Sequence, residues 1–236
     1  MSVLRKNSGC AQCLVRQHCL SSNLDTEELQ KFERGTASKM KVRRGQSLFF
    51  QGDPFHAIFA VKVGVMKTSI SCSNGQEQVT GFKMYGEILG LDGIERQRHA
   101  CQAIALEDTE VCVIPYRSFH GLADEIPKLR FRFAELMSNQ LVQNNRLMLL
   151  LGSMCANEKV ALFLLNLLDR QRSRGLSSNE LLLRMTRQDI ASYLGLQLET
   201  VSRKFSKMSE VGLISVNRQY VRIKDIEGLK LLTAHW

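Results

Sequence analysis

Apolar and polar residues alternate with a period of two between residues 39 and 115, a pattern typical of half-buried β-strands. The alternating runs are short and evenly spaced, and Gly, Pro and Asn residues separate them. The sharpest of these turn signals is Asn74-Gly75, because both residue types tolerate the positive φ angles of a two-residue hairpin turn. We therefore predict a β-barrel or jelly roll. Its strands are expected at residues 38–42, 47–50, 57–63, 65–71, 77–82, 101–105 and 111–114.

A long helix is predicted from Pro127 to residue 151, because Pro suits the first turn of a helix and no further Pro or Gly follows before Gly152. Six of its residues follow one another in alternating steps of three and four, the a/d spacing of a helix that packs against a partner helix. They are Ala134, Met137, Leu141, Asn144, Met148 and Leu151. We predict that these residues form the seam of a homodimer. The alternative is one long core helix within a single chain.

Shorter elements are predicted before the strands and after the long helix. Helices are expected at residues 25–34, 158–172 (capped by Asn157), 187–194 and 198–208, and strands at residues 181–185, 213–216 and 220–223. Ala191, Gly195 and Val201 supply the small residue, the turn former and the branched apolar contact of a helix-turn-helix, at that motif's intervals of four and six residues. The alternative is an ordinary helical hairpin.

The second helix of this motif carries candidate base-reading residues on one face. Glu199, Ser202 and Arg203 lie three and four residues apart, so their side chains share a face of the helix. A glutamate can accept a hydrogen bond from cytosine N4, an arginine can donate two to guanine O6 and N7, and a serine adapts to either. A surface ion pair between Glu199 and Arg203 is the alternative, and it is compatible with base reading.

The net charge favours a polyanionic partner. The 236 residues include 32 Lys and Arg against 23 Asp and Glu, which gives a formal charge of +9. Nucleic acid and an anionic membrane surface are both partners of this kind. No apolar run approaches the ~20 residues of a membrane span, and the N-terminus lacks the apolar core of a signal peptide. We therefore expect a cytoplasmic protein of two domains that does not enter a membrane.

Three of the seven cysteines lie close together near the N-terminus, at Cys10, Cys13 and Cys19. In a reducing compartment this number of cysteines does not suggest a disulfide framework. Three clustered thiolates with one distant thiolate are a common way to hold an iron–sulfur cluster. A Cys3His zinc site that uses His18 and three unrelated thiols are the alternatives. A thioredoxin-like redox enzyme using Cys10 and Cys13 is a further alternative, but no βαβ pattern surrounds them.

Three segments of the predicted roll stand out: Arg44-Gly45-Gln46-Ser47-Leu48-Phe49, Gln51-Gly52-Asp53-Pro54 and Gly86-Glu87-Ile88-Leu89-Gly90. They resemble the regulatory domain of the CRP/FNR superfamily of bacterial transcription regulators. The resemblance implies an α+β protein with a double-stranded β-helix domain (a jelly roll of the cyclic-nucleotide-binding type), a long dimerisation helix and a C-terminal winged helix-turn-helix. The expected boundaries are residues 1–24 for the cysteine segment, 25–126 for the roll, 127–152 for the helix and 153–236 for the DNA-binding domain.

The superfamily members that bind cyclic nucleotides hold the phosphate through a short Arg-Ser-Ala segment. The nearest match is Arg98-His99-Ala100, in which His99 replaces the small hydroxyl residue. This departure argues against cyclic AMP as the ligand. A regulator that responds to another small ligand in the roll remains an alternative.

The cysteine spacing and the segment Glu199-Thr200-Val201-Ser202-Arg203 resemble the oxygen-sensing FNR branch of the superfamily. This resemblance implies a [4Fe–4S] cluster held by Cys10, Cys13, Cys19 and Cys112, because residues 109–115 match the segment of the fourth ligand and the surroundings of Cys101 do not. An intact cluster then favours dimerisation, and oxygen degrades the cluster and loosens the dimer.

The same resemblance implies how DNA is bound. The expected site is an inverted repeat of TTGAT half-sites, read by Glu199, Ser202 and Arg203. RNA polymerase is implied as a further partner, and no enzymatic activity is expected. Contacts to the DNA backbone are implied for Thr186, Arg187, Gln188, Gln197 and Thr200.

Overall fold

Two four-stranded antiparallel sheets form the roll predicted from the alternating pattern. The computed structural model describes residues 9–35, 38–72, 75–176 and 178–233, and the chain divides into two compact units, residues 1–141 and 142–236. The first unit contains α1 (Thr26–Gly35), β1 (Ser38–Val42), β2 (Ser47–Phe49), β3 (Ala57–Val63), β4 (Val65–Ser71), β5 (Glu77–Met84), β6 (Ile88–Leu89), β7 (Gln102–Ala105), β8 (Thr109–Pro115), α2 (Tyr116–Glu125) and the start of α3 (Pro127–Ser153). The strand orders are β1-β8-β3-β6 and β2-β7-β4-β5.

Strand β3 explains how the roll acquires two hydrophobic cores. Its first five residues are all buried, and successive side chains of a strand point to opposite faces. Phe59 and Val61 join the core inside the roll, together with residues of the other sheet such as Met66. Ile58 and Ala60 join the core beneath the helices, which also contains residues of α2 and α3, the two helices that follow β8. Sheet β1-β8-β3-β6 therefore separates the roll interior from the helical layer.

The second unit is a helical domain with a three-stranded sheet. It contains α4 (Ala156–Ser173), β9 (Glu180–Leu182), α5 (Arg187–Leu194), α6 (Leu198–Glu210), β10 (Ile214–Asn217), β11 (Tyr220–Ile223) and α7 (Ile226–Leu231). The sheet order is β10-β11-β9, and β10 and β11 form the predicted wing hairpin. Helix α5 has the predicted bounds. No helix within the described ranges is long and apolar enough to cross a membrane.

Helix α4 begins before the position predicted for it. Asn157 was expected as the cap, but the cap is Cys155. The Cys155 N–H donates to the Glu158 carboxylate at 2.7 Å, and the Cys155 sulfur accepts from the N–H of Glu158 in return. This reciprocal pairing at a spacing of three satisfies two N–H groups of the first turn. Asn157 therefore lies inside the helix.

Other differences concern elements with weak local signals. Helices α2 and α7 and strand β6 were not predicted. They contain ten, six and two residues respectively, and segments this short show little hydrophobic periodicity. Gly152 does not stop α3, which continues to Ser153. The strand predicted at 181–185 is observed at Glu180–Leu182, so it begins one residue earlier and ends three residues earlier than predicted. Asn74 lies outside the described residues, but β4 and β5 pair as an antiparallel hairpin around it.

The boundary between the two compact units falls inside α3, between Leu141 and Val142. The cysteine segment, the roll and the first half of α3 thus belong to one unit. The division at residues 24, 126 and 152 made from the sequence stays a prediction.

Candidate functional sites

The cysteine segment folds as two single turns of 3-10 helix, Cys10–Gln12 and Arg16–His18. Glu33 of α1 holds the first turn, because its carboxylate accepts hydrogen bonds from the N–H groups of Cys10 and Ala11. A carboxylate at the start of a helical turn satisfies N–H groups that have no partner within the turn. Helix α1 therefore fixes the position of the first cysteine.

The residues after Cys19 anchor the other end of the segment in the core. Leu20, Ser21 and Ser22 are buried, with Leu20 fully enclosed. The Arg16 guanidinium donates to the carbonyl oxygens of Ser21 at 3.4 Å and Leu24 at 2.5 Å. A charged donor that spans two carbonyls restrains the chain between them.

All four predicted cluster ligands belong to the first compact unit. Burial is the largest cause that raises the pKa of Cys10 to about 12, followed by repulsion from Cys19, Glu33, Cys112 and Cys13. Such repulsion requires the charged forms of these groups to lie near one another. Cys10 and Cys19 also pack against the core beneath the helices, as does Cys112.

Cys112 comes to this group from the roll. It lies in β8, where it is paired with Lys39 of β1 on one side and Ala60 of β3 on the other. The pKa of Cys112 is raised to about 11, first by burial and then by repulsion from Cys19 and Cys13, while Lys62 and Lys39 oppose the shift. A central strand thus presents Cys112 to the N-terminal segment.

Cys101 lies on the other side of the same sheet. It belongs to the core inside the roll, and its sulfur lies 3.4 Å from a carboxylate oxygen of Asp92. Burial, and then the Asp92 charge, raises the pKa of the Cys101 thiol. Cys72 and Cys155 are exposed, and all seven cysteines are free thiols.

The segment Arg98-His99-Ala100 packs against other side chains of the protein and forms hydrogen bonds with one of them. His99 is only 4% exposed, and its ring stacks on Phe49 with centroids 3.7 Å apart. One Asp92 carboxylate oxygen accepts from the N–H groups of Ala100 at 2.7 Å and Cys101 at 3.1 Å. Two N–H groups that could bind an anion are thus already satisfied by a carboxylate, which disfavours a phosphate ligand here.

Gly86 allows the cysteine segment to approach the roll. Its φ is +86°, and a β-carbon at this position would lie 2.6 Å from the β-carbon of His18. Gly86→Ala is therefore expected to strain the backbone at a cost of ~1–2 kcal/mol. It should also push the cysteine segment away from the roll. We expect faster alkylation of the N-terminal thiols in metal-free protein. Gly45→Ala is the matched control, because φ is +81° and the space is open. Equal alkylation rates in the two variants would contradict this role of Gly86.

The helix-turn-helix is built as its sequence predicts. Thr186 caps α5, with its hydroxyl accepting from the N–H of Asp189 at 3.0 Å and its own N–H donating to the Asp189 carboxylate at 2.9 Å. Gly195 ends the helix in the left-handed conformation, at φ 61°. Val201 is fully buried, as the motif requires. The local sequence therefore fixes the turn between α5 and α6.

Helix α6 separates its buried and exposed residues cleanly. Its buried residues are Val201, Phe205 and Met208. The three predicted base-reading residues are all exposed: Glu199, Ser202 and Arg203. The candidate reading face is thus accessible in the single chain.

The five predicted backbone contacts have different surroundings. Thr186, Gln188 and Gln197 are exposed, and Thr200 is half-buried. The Arg187 guanidinium lies 3.5 Å from the ring centroid of Phe205, and burial lowers the pKa of Arg187 to about 10. This cation–π contact was not predicted, because no sequence spacing relates residues on two different helices.

The predicted seam of α3 is largely exposed in the single chain. Leu141 is 63% exposed and Met148 is 65% exposed. Met137 is half-buried, and the remaining seam residues are exposed: Ala134, Asn144 and Leu151. Phe131, which was not predicted, adds a further exposed apolar side chain at 69%. An apolar helix face of this length is typical of an interface between proteins.

Comparisons with known proteins agree with this architecture. A Crp-like helix-turn-helix domain matches residues 158–232, and a cyclic nucleotide-binding domain matches residues 39–125. The chain is 40% identical to the transcriptional regulatory protein btr of Bordetella pertussis, over 94% of this chain and 92% of that protein. It is 38% identical to the anaerobic regulatory protein of Haemophilus influenzae, over 95% of this chain and 87% of that protein. The structure of FixK2 from Bradyrhizobium japonicum is similar with a TM-score of 0.76, at 27% identity over 83% of this chain and 96% of that one.

These matches confirm the fold class predicted from the sequence, which is a β-roll, a long helix and a C-terminal helix-turn-helix. The relatives are transcription regulators and not enzymes, so the alternative of a thioredoxin-like redox enzyme is wrong. The protein is a DNA-binding transcription regulator that belongs to the FNR-type branch of the CRP/FNR family.

Proposed function

We propose that this regulator responds to oxygen through a [4Fe–4S] cluster held by Cys10, Cys13, Cys19 and Cys112. The observation that carries the proposal is that Cys112, from the middle of a sheet, packs against the same hydrophobic core as Cys10 and Cys19. The relative from Haemophilus influenzae is named an anaerobic regulatory protein, which supports a response to oxygen.

The chemistry of the four cysteines suits an iron–sulfur cluster. Burial raises the pKa values of Cys10, Cys19 and Cys112, so in metal-free protein these side chains stay protonated at neutral pH. Positive iron centres favour the thiolate form and relieve the repulsion between neighbouring sulfurs. When bound, the cluster supplies the reaction with oxygen, and the protein residues supply four ligands and a largely apolar surround.

A zinc site that uses His18 receives no support from the geometry. Within the part of the chain that the structure describes, no group of three or more His, Cys, Asp or Glu side chains is placed to hold a metal ion. A cluster is bound differently, because each of four thiolates ligates its own iron, and the ligands need not converge on one point.

The mechanism that we propose is a dimer switch. With the four thiolates held together, two α3 helices pair through the seam and place two α6 helices on successive turns of DNA. Glu199, Ser202 and Arg203 then read TTGAT half-sites of an inverted repeat, with RNA polymerase as a further partner. Because such a regulator acts on DNA, we place it in the cytoplasm.

Iron and sulfide analysis after purification without oxygen tests the cofactor assignment. We expect four iron and four sulfide per chain, with a brown colour that is lost in air. A colourless protein that contains zinc, or no metal, would refute the proposal.

Asn144 lies in the middle of the proposed seam. Two amides can hydrogen-bond across a seam and fix its register, whereas two carboxylates repel. Asn144→Asp is therefore expected to weaken dimerisation of cluster-free protein about tenfold, or ~1.4 kcal/mol, as measured by sedimentation. Asn145→Asp adds the same charge one position outside the a/d pattern and serves as the control. If both variants dimerise like the parent protein, residue 144 lies off the interface.

A further inference from the structure

The first turns of α3 lie between the cysteine site and the proposed dimer seam. Leu129 is fully buried in the core beneath the helices, and Phe133 and Leu136 pack against the same core. Cys10, Cys19 and Cys112 pack against it as well. The seam residues of this half of the helix lie on a neighbouring face, about 100° around its axis, at Ala134, Met137 and Leu141. A change at the cysteines therefore has a short route to the seam.

Arg132 makes a direct polar contact along this route. Its Nε donates to the main-chain carbonyl oxygen of Cys19 at 3.2 Å. The same oxygen accepts the N–H of Ser22 at 3.2 Å, so both of its lone pairs are used. Another guanidinium nitrogen, Nη1, forms an ion pair with the Glu135 carboxylate at 3.0 Å. The Arg132 side chain is only 17% exposed, so water competes weakly for this contact.

A second polar contact of α3 provides a contrast. Lys128 forms ion pairs with Asp25 at 3.2 Å and Glu28 at 2.8 Å, at the start of α1. It ties α3 to α1 at the surface, where its side chain is 50% exposed. The partners of Lys128 are not cysteines, so it anchors the helix independently of the state of the thiols.

We propose that Arg132 is a positioning residue that transmits the state of the cysteine site to the dimer seam through the carbonyl oxygen of Cys19. The inference rests on the proposed function. While the Cys19 thiolate is held as a ligand, its main chain is fixed, and the carbonyl holds Arg132 and the turn of α3 that carries Ala134 and Met137. When the thiol is released, the main chain of Cys19 is restrained less, and the contact no longer fixes that turn.

Two substitutions of similar size separate this role from packing. In Arg132→Gln, the Nε2 donor lies the same number of bonds from the main chain as the arginine Nε, so the hydrogen bond to the carbonyl can form. Arg132→Met has similar length and helix propensity but no donor. Lys128→Met is the control, since it removes an anchor of α3 that does not contact the cysteine segment.

The measured quantities are iron and sulfide content and the dimerisation constant, with and without the cluster. We expect Arg132→Met to keep its iron and to dimerise like the parent protein when cluster-free, while the gain in dimerisation on cluster loading falls at least tenfold. Arg132→Gln should retain most of that gain, and Lys128→Met should retain all of it.

The inference is overturned if Arg132→Met keeps the full gain, or if it loses its iron, because Arg132 would then hold the ligands and not transmit their state. Equal losses in the Met and Gln variants would also overturn it, since packing would then be the cause. If the parent protein itself contains iron and sulfide but shows no gain in dimerisation, the proposed dimer switch fails, whatever the variants do.

Discussion

Cys112→Ala is expected to lose most of its iron and sulfide when the protein is prepared without oxygen. An iron with an open position weakens the whole cluster assembly, and Cys101 is not placed to replace Cys112. Cys101, which is the nearest cysteine to Cys112 in the sequence, lies in the core inside the roll. A sheet separates it from the N-terminal cysteines. Iron and sulfide analysis of the anaerobic variant is the measurement.

Cys101→Ala is the matched control for this prediction. It removes a buried thiol from the same domain, so any general loss of stability should be at least as large as in Cys112→Ala. We expect the cluster content of Cys101→Ala to equal that of the parent protein. Full cluster content in Cys112→Ala, or its loss in Cys101→Ala, would refute the assignment of the fourth ligand.

Arg203→Ala is expected to weaken binding to the inverted repeat by ~1–3 kcal/mol and to relax the preference at the guanine. The reason is that Arg203 is exposed on the open face of α6, beside Glu199, where a guanidinium can donate two hydrogen bonds to one base. The measurement is the affinity for the repeat, for the repeat with the guanine replaced, and for random DNA, at several salt concentrations.

Arg187→Ala provides the comparison. A residue that contacts phosphate weakens binding evenly across sequences and flattens the salt dependence. Because the Arg187 guanidinium covers Phe205, we also expect this variant to lower the thermal midpoint of the DNA-binding domain, which Arg203→Ala should leave unchanged. Equal weakening of specific and random DNA by Arg203→Ala would show that Arg203 contacts the backbone and does not read a base.

The sequence predicts best where a local rule decides the structure. The bounds of α5 follow from the Thr186 cap and from Gly195, whose left-handed conformation ends the helix. Most strands of the roll follow from alternation, because one residue of shift would turn every apolar side chain of such a strand to the wrong face. Strand β3 is an exception, since its first five residues are all buried. The cap of α4 was wrong, since Cys155 is a rare capping residue and Asn157 is a common one.

The parts that could not be predicted depend on contacts between distant segments. Spacing groups Cys10, Cys13 and Cys19, but only the resemblance to a family suggested Cys112, because strand pairing brings it to them. The contact of Arg132 with the Cys19 carbonyl and that of Arg187 with Phe205 have the same origin. No local pattern encodes which side chain of one element meets another, so these contacts appear only in the folded chain.

The central claim is that oxygen controls DNA binding through the four cysteines. The most direct measurement is the affinity of one anaerobic sample for a TTGAT…ATCAA inverted repeat before and after exposure to air, with iron determined in the same aliquots. We predict that affinity for the repeat falls at least tenfold, ~1.4 kcal/mol, in step with the loss of iron, and that Cys112→Ala starts at the lower value. An air-exposed sample that has lost its iron and still binds the repeat as tightly as before would contradict the account.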